Sequence, residues 1–317
     1  MQKNRILSVC LGFMLAVPLA AEAQTAFGRI VVFGTSLSDP GNAFALVGGT
    51  NTPPDWSVDP FLVPDRPYAK GGHHFSNGAT WIEQYAGPRG LSASVNPAFR
   101  GASAKASNYA VGGARAREVA NNFHLALQVG SFLGNVGGVA PPDALYVIEM
   151  GGNDLRDALL AGPSGGTTII EDAITSVAAN IAALYAAGAR KFLVWNAPDL
   201  GLTPAIRAFD LLVPGAVGAA TGASQLFNYH LDFALGMLQA DLPGIEFVRL
   251  DVFRKLQDVV VAPENFGFTN VTAACITPGV PPFTCKKADE YVFWDGIHPT
   301  RATHAILAHE AAAALGR

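Results

Sequence analysis

Five short apolar stretches divide the chain, at residues 30–33, 108–111, 144–150, 191–195 and 245–250. Most of them run apolar without a polar alternation, which is the pattern of strands covered on both faces. Between them the periodicity changes. Ile174, Val177, Ile181, Leu184 and Tyr185 recur at helical spacing, and Gly188 is placed to end that helix. Leu231, Ala234, Leu235 and Leu238 form a second stripe, stopped before Pro243. A short helix is predicted over 79–85 with Trp81, Ile82 and Tyr85 on one face, and an Ala-rich helix follows Thr300, a residue suited to cap it. Strands alternating with helices predict an α/β protein: about five parallel strands with helices on both faces. No repeat or linker interrupts the pattern, so residues 24–317 read as one domain.

Composition narrows the classes. The 317 residues are 50% hydrophobic and 15% charged, with a net charge of −4, a composition that supplies ample core. No Lys/Arg cluster is present to neutralise a run of phosphates, so nucleic acid is excluded as a partner. No His-Glu-x-x-His, Cys-x-x-Cys or acidic calcium loop occurs, so no metal is expected. The first residues read differently from the rest: Lys3 and Arg5, an apolar run over 6–20, then Ala21-Glu22-Ala23. That is the form of a cleaved signal peptide, 1–23, leaving a mature chain from Gln24 in the periplasm or the medium. Its apolar run falls short of the roughly 20 residues that span a bilayer, and no integral membrane segment is expected in the mature chain. Export fits the cysteines. Cys10 leaves with the signal, and Cys275 and Cys285 flank a Pro/Gly-rich loop. A disulfide between them would contribute about 2–4 kcal/mol; two free thiols are the alternative.

Candidate chemistry clusters where strands end. Gly34 breaks the first apolar run and puts Ser36 just past its carboxyl end, where open α/β sheets hold their ligands. Near the C-terminus, Gly296 and Pro299 mark a turn that can fold the Asp295 carboxylate back onto the ring of His298. A carboxylate on one ring nitrogen leaves the other as a base and stabilises the imidazolium once formed. Two long loops, 48–78 and 261–287, are expected to shape a substrate site. They carry Trp56, Phe61, Leu62, Phe266 and Phe268, which either line an acyl or aryl pocket or pack against one another. His73 and His74 on the first loop, and His304 and His309 on the last helix, are expected at the surface.

The stretches Gly34-Thr-Ser-Leu-Ser-Asp39, 108–113, Gly151-Gly-Asn-Asp154 and Asp295-Gly-Ile-His298 resemble, in order, the four blocks of the GDSL (SGNH) serine hydrolases. Residues 196–204 and Phe293-Trp294 are similar to a bacterial phospholipase/lecithinase/haemolysin-like subgroup. The resemblance implies a three-layer α/β/α sandwich of flavodoxin-like topology. It also implies an ester hydrolase that uses no cofactor and acts on a small-molecule or lipid ester. By the same resemblance Ser36 is the nucleophile, His298 the base and Asp295 its orienting acid. The N–H groups of Ser36 and Gly113 and the Asn153 amide form an oxyanion hole. The chemistry fits these residue types, because a serine hydroxyl needs a neighbouring base and an oxyanion needs preset donors. One position departs from the family: Thr35 stands where an Asp is usual. The Gly-x-Ser-x-Gly elbow of α/β-hydrolases is absent. A carbohydrate acetylesterase, a lysophospholipase or a non-catalytic binder on the same fold are the alternatives.

Overall fold

The structure is a computed structural model that describes residues 27–51, 61–101, 105–277 and 285–316. Residues 1–23, expected to be a signal peptide, and Trp56 lie outside the described residues. Four of the five apolar stretches form one parallel sheet. Its strands are β1 (Arg29–Gly34), β2 (Ala144–Glu149), β3 (Lys191–Trp195) and β4 (Glu246–Leu250), in that spatial order. The register sets Gly34 opposite Glu149, so β1 and β2 end level with one another.

The stretch 108–111, expected as a strand, is a correction. It is reduced to a bridge between Asn108 and Val32, supported by Val32 N donating to Ser107 O, Tyr109 N to Val32 O and Val111 N to Gly34 O. The Asn108 carboxamide accepts from the N–H of Ala110 at 3.0 Å, a local bond that competes with extended pairing. The segment still lies along the free side of β1. Counted as a strand, it gives the order 2-1-3-4-5 of doubly wound sheets, whose ligand crevice lies beside the first strand.

The unbroken apolar strands have a simple cause: both faces of the sheet are covered. Val31, Phe33, Tyr146, Ile148 and Phe192 face one cluster, with α3 (Leu125–Asn135), α4 (Gly152–Ala186), α5 (Pro204–Asp210) and α6 (Ala216–Asp241). Ile30, Val32, Leu145, Val147 and Leu193 face the other, with α2 (Trp81–Ala86) and α8 (Arg301–Ala314). Each fully buried side chain of this size contributes about 1.5–3 kcal/mol. Thr300 caps α8, as its position predicts. The remaining helices are α1 (Asn42–Leu46) and α7 (Val252–Val261). A two-stranded parallel piece, β5 (Asn270–Ala274) with β6 (Tyr291–Phe293), has no counterpart in the periodicity. Its strands are too short and too half-exposed to leave one. Cys275 and Cys285 form the expected disulfide, with Cα atoms 5.3 Å apart.

The helix α4 is much longer than its stripe of Ile174 to Leu184 announces, because it begins in the third block itself. Gly162, at φ 71° and ψ −179°, breaks it just before Pro163. Among the described residues it alone is long and apolar enough to cross a membrane by length and composition. Here its second half packs Ile170, Ile174, Val177, Ile181 and Leu184 into the core.

At the head of α4, Gly151 has φ 113°, and a Cβ there would overlap the Phe227 ring. Gly151→Ala should therefore cost about 1–3 kcal/mol, combining left-handed strain with overpacking. A shift of the urea midpoint at constant slope is the measurement.

Candidate active site

The turn 295–298 builds itself. Asp295 Oδ1 accepts from the backbone N–H of Ile297 at 3.0 Å and of His298 at 2.8 Å, and Trp294 N donates to His298 O at 2.7 Å. The fold brings this turn to Ser36. Asp295 Oδ2 lies 2.7 Å from His298 Nδ1, and His298 Nε2 lies 2.8 Å from Ser36 Oγ, across 262 positions of sequence. All three residues are buried, Asp295 completely. A fourth residue joins them. Tyr68 donates its hydroxyl to Asp295 Oδ2 at 2.6 Å. Burial and the Asp295 charge push that phenol well above its ordinary value, so it stays a donor. The Phe75 ring covers His298 at 5.4 Å. The relay can pass a proton from the serine to the imidazole while the carboxylate steadies the resulting cation.

The other two sequence-predicted residues meet at the head of α4. Asn153, in its first turn, donates to Ala114 O at 2.9 Å, which leaves the second amide hydrogen unused by that bond. The paired glycines differ in their hydrogen-bond partners. The Asp39 carboxylate takes the N–H of Gly112 at 2.8 Å, whereas the N–H groups of Gly113 and Ser36 find no acceptor among the described residues. Gly113 has φ +79°, a conformation that a side chain would strain. Its carbonyl is held by Arg115 at 2.6 Å and Asn122 at 2.9 Å. Arg115 grips Asp157 through two bonds, and Arg117 also reaches Asp157. Asp154 takes the N–H of Ala116 at 2.8 Å. The 113–117 loop is thus tied to α4 by carboxylates one turn apart.

Thr35 has a partner that accounts for its departure from the family. Its N–H donates to Glu149 Oε2 at 2.9 Å and its hydroxyl to Oε1 at 2.9 Å. Glu149 closes β2, directly opposite Gly34, and is buried. An Asp at position 35 would set a second carboxylate against it. Burial, incompletely offset by the Thr35 bonds, pushes the Glu149 carboxyl up to about 7. Asp39 and Asp154 are likewise pushed up to about 6, by burial working against their backbone donors.

Two histidines differ from expectation. His74 is buried, with Nδ1 at 2.7 Å from Gly71 O and Nε2 at 2.9 Å from Glu83. Burial lowers its basicity, but the Glu83 bond and charge reverse the sign and leave it raised. His304 is buried too and accepts from Trp81 N, joining α8 to α2; burial lowers it to about 3. Both were expected outside because position on a loop or a terminal helix says nothing of what packs over it. His73 is half-buried, its ring stacked 3.7 Å from that of Phe44, and His309 is exposed.

The aromatic loop residues separate. Phe266 and Phe268 pack with Leu256, Val259 and Phe293 in a small cluster of their own, so the mutual-packing reading holds for them. Phe61 instead walls an apolar cavity, and Leu62 packs beside it on the core. Tyr68 left no signal in a loop of irregular composition. Glu149 did leave one: a carboxylate inside an otherwise apolar run needs a reason. Among the described residues no cluster of His, Cys, Asp and Glu is suited to a metal.

The family model for GDSL-like lipases and acylhydrolases matches residues 30–311. A GDSL esterase/lipase of Arabidopsis thaliana is 26% identical over 98% of this chain and 97% of its own. The phosphatidylcholine-sterol acyltransferase of Aeromonas hydrophila is 27% identical over 96% and 95%. Another Arabidopsis esterase/lipase is 32% identical, and there the match spans about half of each chain. A crystal structure of a GDSL-like lipase from Parabacteroides merdae aligns at 14% identity and a TM-score of 0.45, covering 92% of this chain and 97% of that one. With its family model spanning the sheet, both glycine blocks and the terminal turn, this chain belongs to the GDSL-like lipase/acylhydrolase family.

Proposed function

We propose that this protein is an exported carboxylic-ester hydrolase acting through an acyl-serine intermediate, in the phospholipase/lecithinase/haemolysin-like branch of its family. The observation that carries the reading is the unbroken relay of 2.8 and 2.7 Å from Ser36 through His298 to Asp295. Ser36 Oγ attacks the ester carbonyl carbon as its proton passes to His298 Nε2. The oxyanion so formed is met by the N–H groups of Ser36 and Gly113 and by the Asn153 amide, each donor being worth about 2.7–4 kcal/mol in such sites. Collapse breaks the bond to the alkoxy oxygen, which leaves as alcohol with the proton from His298. Water then repeats the sequence, giving its proton to His298 and freeing the acid. An alcohol in place of water would give acyl transfer, the activity named for the Aeromonas relative.

Export is supported by the residue pattern of 1–23 and by the Cys275–Cys285 bond, which suits an oxidising compartment. The mass of the protein recovered from periplasm or medium should correspond to a chain starting at Gln24; recovery of the intact chain from the cytoplasm would sink the idea.

The relay predicts a graded series on nitrophenyl butyrate. Ser36→Ala should abolish both turnover and labelling by a fluorophosphonate. Asp295→Asn should lower kcat by roughly 10⁴-fold, because the imidazole loses its correct tautomer. Tyr68→Phe removes one bond to a charged acceptor and should lower kcat by roughly tenfold, with KM little changed. Unimpaired turnover in Ser36→Ala would refute the mechanism.

The buried carboxylates predict a pH dependence of stability. Glu149 binds its proton up to about pH 7 when folded but loses it near the ordinary glutamate value of 4.5 when unfolded. In that window the folded chain holds the extra proton, so the stability it contributes is full below the lower value and is lost as pH rises through the upper. Asp39 and Asp154 act in the same sense up to about 6. Glu149→Gln should therefore flatten the fall in urea midpoint between pH 5 and pH 7. An unchanged slope would show that Glu149 titrates as it does in the unfolded chain.

A further inference from the structure

The long helix breaks at Gly162–Pro163, on the side it presents to α6. Two hollows lie there. One, of about 380 Å³, lies among Phe61, Leu159, Leu160, Ile206, Phe209 and Ala219. The second, of about 290 Å³, continues from Leu159 to Leu226 over Gly222 and Gly166.

 The two meet at Leu159 and Ala219, which line both. Together they form one groove floored by small residues. Among the described residues no charged side chain lines either hollow, and the nearer one offers no hydrogen-bonding side chain at all. Such a lining suits a hydrocarbon chain and gives a sugar ring nothing to bond.

Two sets of contacts tie the lining of the groove to the surroundings of the relay. Asn153, Arg156 and Leu160 stand at positions i, i+3 and i+7 of α4, on one helical face, so Leu160 lies about 10 Å along the axis from the Asn153 amide. Between them Arg156 donates to Asn153 Oδ1 at 3.3 Å, and its guanidinium covers the Phe61 ring at 4.5 Å. On the other side Ala205, next to Ile206, donates its N–H to Gly296 O at 2.9 Å, inside the Asp295–His298 turn. The outer rim is apolar and open. Leu160 is 64% exposed, and the loop leading to Val213 presents Leu211 and Leu212 at 84% and 80%.

We propose that the groove between α4, α5 and α6 binds the acyl chain of a long-chain lipid ester whose carbonyl is attacked at Ser36. The proposal rests on the ester-hydrolase reading and adds the substrate class to it. An acetyl or butyryl group is too short to reach Leu160, whereas a hexadecanoyl chain enters the near hollow and extends into the far one.

Two substitutions fill the groove from its floor. Ala219→Trp occupies the junction of the hollows. Gly222→Leu projects into the far one, where a Cβ meets no atom within 4 Å. In Ala219→Trp the ratio of kcat/KM for nitrophenyl hexadecanoate to that for the acetate should fall by roughly tenfold or more, since several methylenes lose their place. Gly222→Leu should lower the same ratio while sparing the ratio of octanoate to acetate. Fluorophosphonate labelling of each variant reports that Ser36 is still presented correctly. A parallel fall at every chain length, or no change in the ratio, would overturn the proposal. A second measurement does not depend on turnover. Ser36→Ala should bind the fluorescent fatty acid parinaric acid, and Ser36→Ala/Ala219→Trp should not. Equal binding by both proteins refutes the groove even where the esterase reading stands. Failure of the parent to label or to hydrolyse any ester, with parinaric acid binding lost on filling the groove, refutes the esterase reading alone.

Discussion

A carboxylate with no exposure to solvent is tolerated only when its lone pairs are occupied, and Asp295 is such a group. Four donors converge on it: two backbone N–H groups of its own turn, the His298 ring and the Tyr68 hydroxyl. Much of the surrounding structure can be read as the means of delivering them. The 61–68 segment has to lie against the turn, and Gly296 N donating to Leu62 O secures it. The turn has to face the end of β1, and β6 pairing with β5 brings it there. The imidazole orientation then follows from the carboxylate, and the serine contact follows from the imidazole.

The far end of the same site rests on a different use of buried acids. Asp39, Glu149 and Asp154 hold the backbone of neighbouring blocks and contribute no proton transfer to the proposed reaction. Asp39 accepts from Gly41, Asn42 and Ala43 in its own block and from Gly112 in the next. Asn42 and Asn108 add the reciprocal side-chain bonds, Asn42 to Asn108 O and Ala110 O, Asn108 to Ser38 O. The short motifs therefore share polar residues for a structural reason: each block satisfies the backbone of another. Burial makes each of these acids costly when ionised, and their donors, which at Asp154 include the Arg117 guanidinium, offset that only in part, so all three hold protons more tightly than free carboxyls do.

Much of this was legible in the chain before folding. The apolar runs at 30–33, 144–150 and 191–195 announce a two-sided sheet because each residue along them is needed on one face or the other. Ser36, Asn153, Asp295 and His298 are visible because they sit at breaks in the pattern, beside glycines. What stayed hidden depends on contacts between distant segments. Tyr68 is one aromatic among many until the turn at Asp295 is placed beside it. His74 and His304 are buried against Glu83 and Trp81 of α2, and periodicity predicts that helix without telling which distant side chains pack on it. The 108–111 segment reads as a strand by composition, but a bond within its own backbone and side chains takes the place of a full ladder.

The break at Gly162 also settles a problem of length. An uninterrupted helix of 35 residues would run about 52 Å, more than twice the roughly 20 Å of a six-residue strand. Strands of five or six residues could not support it. Changing direction once lets a single segment present Asn153 at one end of the sheet and still return its remaining turns to the interior. Sequence drift in the outer half can then alter the hollow beside the break without moving the amide, so the two ends answer to separate selective demands.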